Sequence, residues 1–232
     1  MLKKRLAHER GHGDLGWLDT YHTFSFADYH DRNHMGFRDQ RVINEDRVQG
    51  GMGFPMHSHQ DFEIISFVQQ GRMRHKDSLG NTSLIESDDV QRLSAGSGVT
   101  HSEFNAEEDE ILHLLQVWIQ TEKKGIDPSY EQKSFDEKSK LNRLALVVSR
   151  DGQDGSVSIH QDVNIYVSLL EAGKTIDYEI PKNRHVWIQM IEGLMEVSGE
   201  SLQAGDGLAV SDELNLKITA SVKSKFLLFD LK

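Results

Sequence analysis

Residues 51–71 read GMGFPMHSHQDFEIISFVQQG, and residues 98–105 read GVTHSEFN. The first stretch holds His57 and His59 two apart, and the second holds His101 and Glu103 two apart. In an extended chain such residues project from the same side, with successive same-side positions about 6–7 Å apart along the strand. Two imidazoles so placed can converge on one ion at about 2.0–2.2 Å each. If the two segments face each other inside a barrel, His57, His59, His101 and Glu103 form a set of three nitrogens and one oxygen with open positions on a six-coordinate ion. Imidazole with carboxylate suits iron, nickel, copper, manganese or zinc, and does not suit magnesium or calcium.

The chain outside these motifs also reads as β structure. Val42–Asn44, Glu63–Val68, Leu112–Ile119, Leu144–Val148, Ile165–Leu170, Val186–Ile191 and Lys225–Leu231 are short, rich in Val, Ile, Leu and Phe, and bounded by Gly, Asp, Asn and Ser. No long amphipathic helix is visible. The two halves repeat one order: Phe67–Met73 resembles Met190–Glu196, the turn at Leu79–Asn81 resembles that at Ser198–Glu200, and Ser94–Val99 resembles Leu202–Leu208. A strand, Gly-turn, strand order occurring twice predicts an all-β chain of two stacked barrels. The expected division is residues 1–120, a polar linker over 121–140 with a short helix over Tyr130–Lys138, and residues 141–232.

Composition narrows the chemistry. The 232 residues contain no cysteine, so disulfides, thiolate zinc sites and thiol catalysis are excluded. The net charge of −11 argues against a duplex-DNA surface, which needs clustered Lys and Arg. The basic Met1–Arg5 is followed by no apolar stretch, and no run approaches the roughly 18 apolar residues of a membrane span. A soluble cytoplasmic protein is the expectation.

The two motifs closely resemble the paired motifs of cupins, a glycine with HxH, a carboxylate and a glycine, then G-x-x-H-x-x-x-N. The first departs by one residue in its spacing to Gly71, and the second has Gly96 where cupins commonly have proline. Further wording is similar to the pirin family: Gly16-Trp17-Leu18, Thr23-Phe24-Ser25-Phe26, Arg41-Val42-Ile43-Asn44, His75–Asn81 and Ala95–Glu103. The likeness covers most of residues 8–120 and is looser beyond. It implies a bicupin with few short helices, one mononuclear divalent metal held by His57, His59, His101 and Glu103 in the first half, and a second half without a metal site. Ferrous iron is the expected ion, and nickel, copper, manganese or zinc would also fit. The cupin carboxylate position falls on Glu63. On one straight strand Glu63 would lie about 13 Å beyond His59, too far to share the ion, but a turn at Gln60-Asp61 could bring it back.

The resemblance implies a dioxygenase that opens flavonols such as quercetin with O2, with Glu103 or Glu63 as base. The alternative it implies is an iron-dependent regulatory protein that reads redox state and binds a protein partner. A structural or sugar-binding cupin gains little, since the whole ligand set is present. Among the other histidines, His8, His12, His22, His30 and His34 are read as part of a segment capping the barrel. His75 and His113 are read as hydrogen-bonded structural residues, and His160 and His185 lack an HxH partner. Phe54, Met56, Phe67, Phe104 and Trp118 are read mainly as barrel core, with some lining a cavity at the metal.

Overall fold

The computed structural model describes residues 1–232. The chain is almost entirely strand, with one α-helix, Glu137–Lys140, whose N-terminus is capped by the Asp136 carboxylate accepting from Ser139 N at 2.7 Å. No helix is long and apolar enough to cross a membrane. The chain forms two units. One comprises residues 11–134 and 157–161, and the other residues 1–10, 135–156 and 162–232.

The first unit has two antiparallel sheets. The larger is ordered Ser129–Ser134, Asp89–Ser94, Phe62–Gln70, Leu112–Gln120, Gln40–Val48, Leu18–His22, Gly11–Asp14. The smaller is ordered Gly53–His59, Val99–Asn105, Met73–Asp77, Thr82–Ile85. The central strands are buried on both faces, which is why Phe62–Gln70 and Leu112–Gln120 read as near-continuous apolar runs. Val99–Asn105 instead alternates, with Val99, His101, Glu103 and Asn105 buried. Its inward positions are therefore partly polar, and one imidazole and one carboxylate point inside.

The second unit repeats the plan. Its larger sheet runs Leu2–Arg5, Gly207–Val210, His185–Glu192, Ser224–Leu231, Val163–Leu170, Ala145–Ser149, and its smaller sheet Thr175–Glu179, Asn215–Ala220, Leu194–Val197, Glu200–Gln203. Its interior is filled by Val186, Ile188, Met190, Met195, Leu208, Ile218, Phe226, Leu228 and their neighbours. Apolar side chains occupy the interior where the first unit carries histidines. The duplication extends to the backbone, since Gly71 and Gly193 follow equivalent strands and both have positive φ.

The boundaries differ from those expected at three places. Met1–Arg10 belongs to the C-terminal unit, because Leu2–Arg5 pairs with Gly207–Val210 and Ala7 N donates to Asp206. Ser129–Ser134 is a strand on Asp89–Ser94, so Tyr130–Ser134 is not helical and residues 121–134 are no free linker. Val157–Gln161 returns to the first unit. In the first two cases backbone pairing to a distant strand decides the membership, and such pairing leaves little hydrophobic pattern in a short polar edge segment. Val157–Gln161 is instead tied to the first unit through the bonds of Ser158 with Arg92 and Glu131 and of His160 with Glu63.

Gly96 accounts for the missing proline of the second motif. Its φ is +46°, a conformation that proline, locked near −65°, cannot take. A Cβ there would also lie 2.1 Å from the carbonyl oxygen of Ile126. Gly96→Ala is expected to destabilise the protein by at least ~1–3 kcal/mol, read as a fall of about 5 °C or more in thermal denaturation. An unchanged melting temperature would contradict this close approach.

Candidate metal centre

His57 and His59 stand on the edge strand Gly53–His59, and His101 and Glu103 on its neighbour Val99–Asn105. The antiparallel register sets His101 opposite His57 and Val99 opposite His59, with a bulge between His101 and Glu103. Ring centroids are 4.4 Å apart for His57–His101, 4.7 Å for His57–His59 and 4.8 Å for His59–His101. One ring nitrogen from each of the three lies within 4.8 Å of the others.

Nothing in the protein satisfies these nitrogens. His101 is fully buried and neither of its ring nitrogens has a hydrogen-bond partner, and buried Nε2 of His59 has none. Unpaired buried polar atoms are costly and rare, so a group outside the polypeptide is the natural partner. Burial pushes His59 down to about 4 and His101 down to about 3, and the neighbouring imidazoles add to both shifts. Each ring is therefore neutral at physiological pH and keeps a lone pair, the form that binds metal. Nδ1 of His57 donates to the Pro55 carbonyl at 2.8 Å, which leaves Nε2 as the free acceptor.

Glu103 is buried, and both its oxygens accept from Gln116 Nε2, at 3.0 and 2.9 Å. Gln116 Oε1 in turn accepts from Trp118 Nε1 at 2.9 Å. This Glu103–Gln116–Trp118 chain escapes a reading of motifs. Its one sequence signal is the i, i+2 alternation of Leu114, Gln116 and Trp118 on a single strand face. His75 also lies near His101 and Glu103. However, its Nε2 is 2.9 Å from Asp77 and its Nδ1 accepts from Gln91 at 3.3 Å. Both its nitrogens are engaged, as a hydrogen-bonded structural residue requires, and His113 is likewise bonded to Glu45 at 3.0 Å.

Glu63 is placed apart from the cluster. A turn does occur after His59, where Asp61 has φ +56°, but it carries the chain into the other sheet. The Glu63 carboxylate is fully buried, accepts from Ser94 Oγ at 2.8 Å, and lies 3.2 Å from His160 Nδ1 and 3.9 Å from Arg92. Glu63, expected as an alternative base, has as its partners an arginine, a serine and a histidine outside the cluster, and it is not among the residues that line the cavity.

That cavity, about 430 Å³, opens beside His57, His59 and Glu103. Its apolar wall includes Leu18, Phe26, Phe54 and Trp118. Of the aromatic and Met residues expected in the core, Phe67 is buried in it, whereas Met56 is 53% exposed at the cavity rim. The N-terminal histidines form no shared cluster. His12 bonds Asp19, His22 bonds Asn44 and His34 bonds Asp31. The segment around them does supply a wall, since Phe26 meets Trp118 edge-on at 5.3 Å.

Asp46, which no motif marks, also lines the cavity. Burial pushes its carboxyl up to about 7, against the opposing hydrogen bond from Thr20, with Glu103, Glu45 and Asp19 adding to the rise. The folded protein thus holds a proton that the unfolded chain releases above its ordinary value of 3.8. The associated stability is complete below that value and is lost as pH rises through about 7. Asp46→Asn, which mimics the neutral acid, should therefore gain melting temperature over the native protein progressively from pH 4 to pH 7 and hold that gain above. A pH-independent difference would contradict the burial of a neutral acid.

Comparison with known proteins finds a family model for each half of the chain. Residues 3–119 match the family model described as pirin, and residues 146–231 match that described as quercetinase C-terminal cupin domain. The chain is 44% identical over 231 residues to quercetin 2,3-dioxygenase of Escherichia coli strain K12, covering 100% of this chain and 99% of that protein. It is 36% identical to a pirin-like protein of Caulobacter vibrioides, with 99% of each covered. The crystal structure of the bacterial pirin YhhW from Escherichia coli in complex with nickel(II) superposes with a TM-score of 0.95 at 44% identity, covering 100% of this chain and 99% of that one.

Proposed function

The chain belongs to the pirin family, and from that premise we propose that it is a metal-dependent dioxygenase acting on flavonols such as quercetin, with His57, His59, His101 and Glu103 holding one divalent ion. The observation that carries this reading is the group of buried imidazole nitrogens with no partner in the protein, set at the edge of an apolar cavity. The donor set suits iron, nickel, copper, manganese or zinc. Ferrous iron is the ion the family implies, and a relative 44% identical takes nickel(II).

When bound, the ion supplies a Lewis acid for an ionised substrate hydroxyl and a path for electrons to dioxygen. The chain's own residues do the rest. Gln116 holds the Glu103 carboxylate in a fixed orientation through two contacts. Glu103 then stands at the cavity as the base for the substrate hydroxyl proton. Leu18, Phe26, Phe54 and Trp118 offer flat apolar surface to a planar aromatic and exclude water from the reacting centre. In the overall reaction flavonol plus dioxygen gives a phenolic ester plus carbon monoxide.

The test is elemental analysis of protein purified without a metal-affinity tag, followed by oxygen uptake with quercetin. About one metal per chain with uptake that needs the metal is the expected result. One metal without uptake would replace this reading with that of a regulatory protein whose iron is sensed by a partner. No metal in folded protein would overturn it altogether.

A further inference from the structure

Four polar side chains enter the cavity from the sheet opposite the histidines. Thr20 and His22 lie on Leu18–His22, and Asn44 and Asp46 on Gln40–Val48. The register pairs Thr20 with Asp46 and His22 with Asn44. All four are less than 9% exposed. Thr20 Oγ1 donates to Asp46 Oδ1, and His22 Nδ1 donates to Asn44 Oδ1 at 2.8 Å. These bonds fix the two outer residues but leave Oδ2 of Asp46 and the amide NH2 of Asn44 with no partner in the protein, in side chains that line the cavity.

The metal ligands do not use this patch, since they stand on the smaller sheet. Gln116, which holds Glu103, lies on the strand next to that of Asn44 and Asp46. Neighbouring strands are about 4.8 Å apart, so the patch begins roughly 5 Å, and ends roughly 10 Å, across the sheet from Gln116. Polar groups buried beside an apolar wall are retained when a ligand group satisfies them. A carboxyl oxygen, which accepts when ionised and also donates when protonated, beside an amide donor matches a hydroxyl, which both donates and accepts. The aromatic surroundings match a hydroxyl carried on a ring.

We propose that Asp46 and Asn44, braced by Thr20 and His22, form a second polar subsite that receives a phenolic hydroxyl remote from the group directed at the metal ligands. The substrate class is then an aromatic ring system hydroxylated at two separated positions. This rests on the reading of the cavity as the flavonol site and sets its specificity.

The test compares quercetin with 3-hydroxyflavone, which keeps the hydroxyl and carbonyl pair expected to face the metal but lacks the remote hydroxyls. Affinities are measured on metal-containing protein under anaerobic conditions by quenching of tryptophan emission. The native protein should prefer quercetin by about tenfold or more, the worth of one buried hydrogen bond. Asp46→Leu and Asn44→Leu should each reduce that preference to threefold or less, with metal content and 3-hydroxyflavone affinity unchanged. Thr20→Val, nearly isosteric, provides the same reading should Asp46→Leu not fold. No preference in the native protein, a preference that survives in the variants, or equal weakening of both ligands would overturn the subsite alone. Binding of neither ligand by the native protein would overturn the flavonol reading and the subsite with it.

Discussion

His101→Ala should leave the protein folded but without its metal. His101 is fully buried, stands opposite His57 in the register, and has two ring nitrogens that no protein atom satisfies. Four-ligand zinc sites bind with about 10–16 kcal/mol, roughly 3–4 kcal/mol per ligand, so removing one ligand lowers affinity by about 10²–10³. Metal content after dialysis is expected to fall from about one per chain to a small fraction, and oxygen uptake with quercetin to fall with it. Glu63→Gln, also at a fully buried carboxylate, should keep its metal, because Glu63 bonds Ser94 and His160 rather than the cluster. Elemental analysis of the two variants side by side decides the matter. Full metal content in His101→Ala, or its loss in Glu63→Gln, would refute the assignment of ligands.

Arg92→Met should produce the largest loss of stability without touching the metal. The Arg92 guanidinium donates to the Ser129 carbonyl at 2.9 Å, Ser129 Oγ at 2.7 Å, Ser94 Oγ at 2.9 Å and the Ser158 carbonyl at 2.9 Å. It also pairs with Glu131 at 3.3 Å and Glu63 at 3.9 Å. The Arg92 side chain is 4% exposed and that of Glu63 is 0% exposed, so water cannot take the place of the lost charge. Removing one partner of a buried ion pair costs about 3–5 kcal/mol, a large share of the ~5–15 kcal/mol that holds most domains. At about 2–4 °C per kcal/mol for chains of this size, the melting temperature should fall by about 10 °C. A fall under about 3 °C would show that the network is worth little. The same residues tie Ser129 and Ser158, from two chain segments remote in sequence, to the strand Asp89–Ser94.

Much of the site was legible in advance. The alternation of His57 with His59 and of His101 with Glu103 is a property of two single strands, and the pleat alone puts each pair on one side. Short apolar runs between glycines announced an all-β chain, and the repeated Gly turns announced its duplication. The seven predicted strands all appear, six of them lengthened by one or more residues and Leu144–Val148 shifted by one to Ala145–Ser149. Gly71 and Gly193 mark the repeat in the backbone as they do in the sequence.

What spacing could not decide was the partner of each strand. Glu63 and Glu103 are both candidates on paper, each a carboxylate a few residues beyond a histidine. The turn at Asp61 sends Glu63 into the larger sheet beside Arg92, while Val99–Asn105 pairs with Gly53–His59 and keeps Glu103 with the histidines. Asp46 and Asn44 carry no local signal, and Gln116 only its alternation with Leu114 and Trp118, for their meaning depends on strands 13 to 26 residues away. The N-terminal strand and Ser129–Ser134 are polar edges whose membership rests on backbone hydrogen bonds to distant segments. By itself the sequence determined the periodic features: strand class, turn positions and which side chains share a face within one strand, because these follow from covalent geometry and local burial. Only the tertiary structure decided which faces meet, because register between strands is set by packing and pairing across the whole barrel.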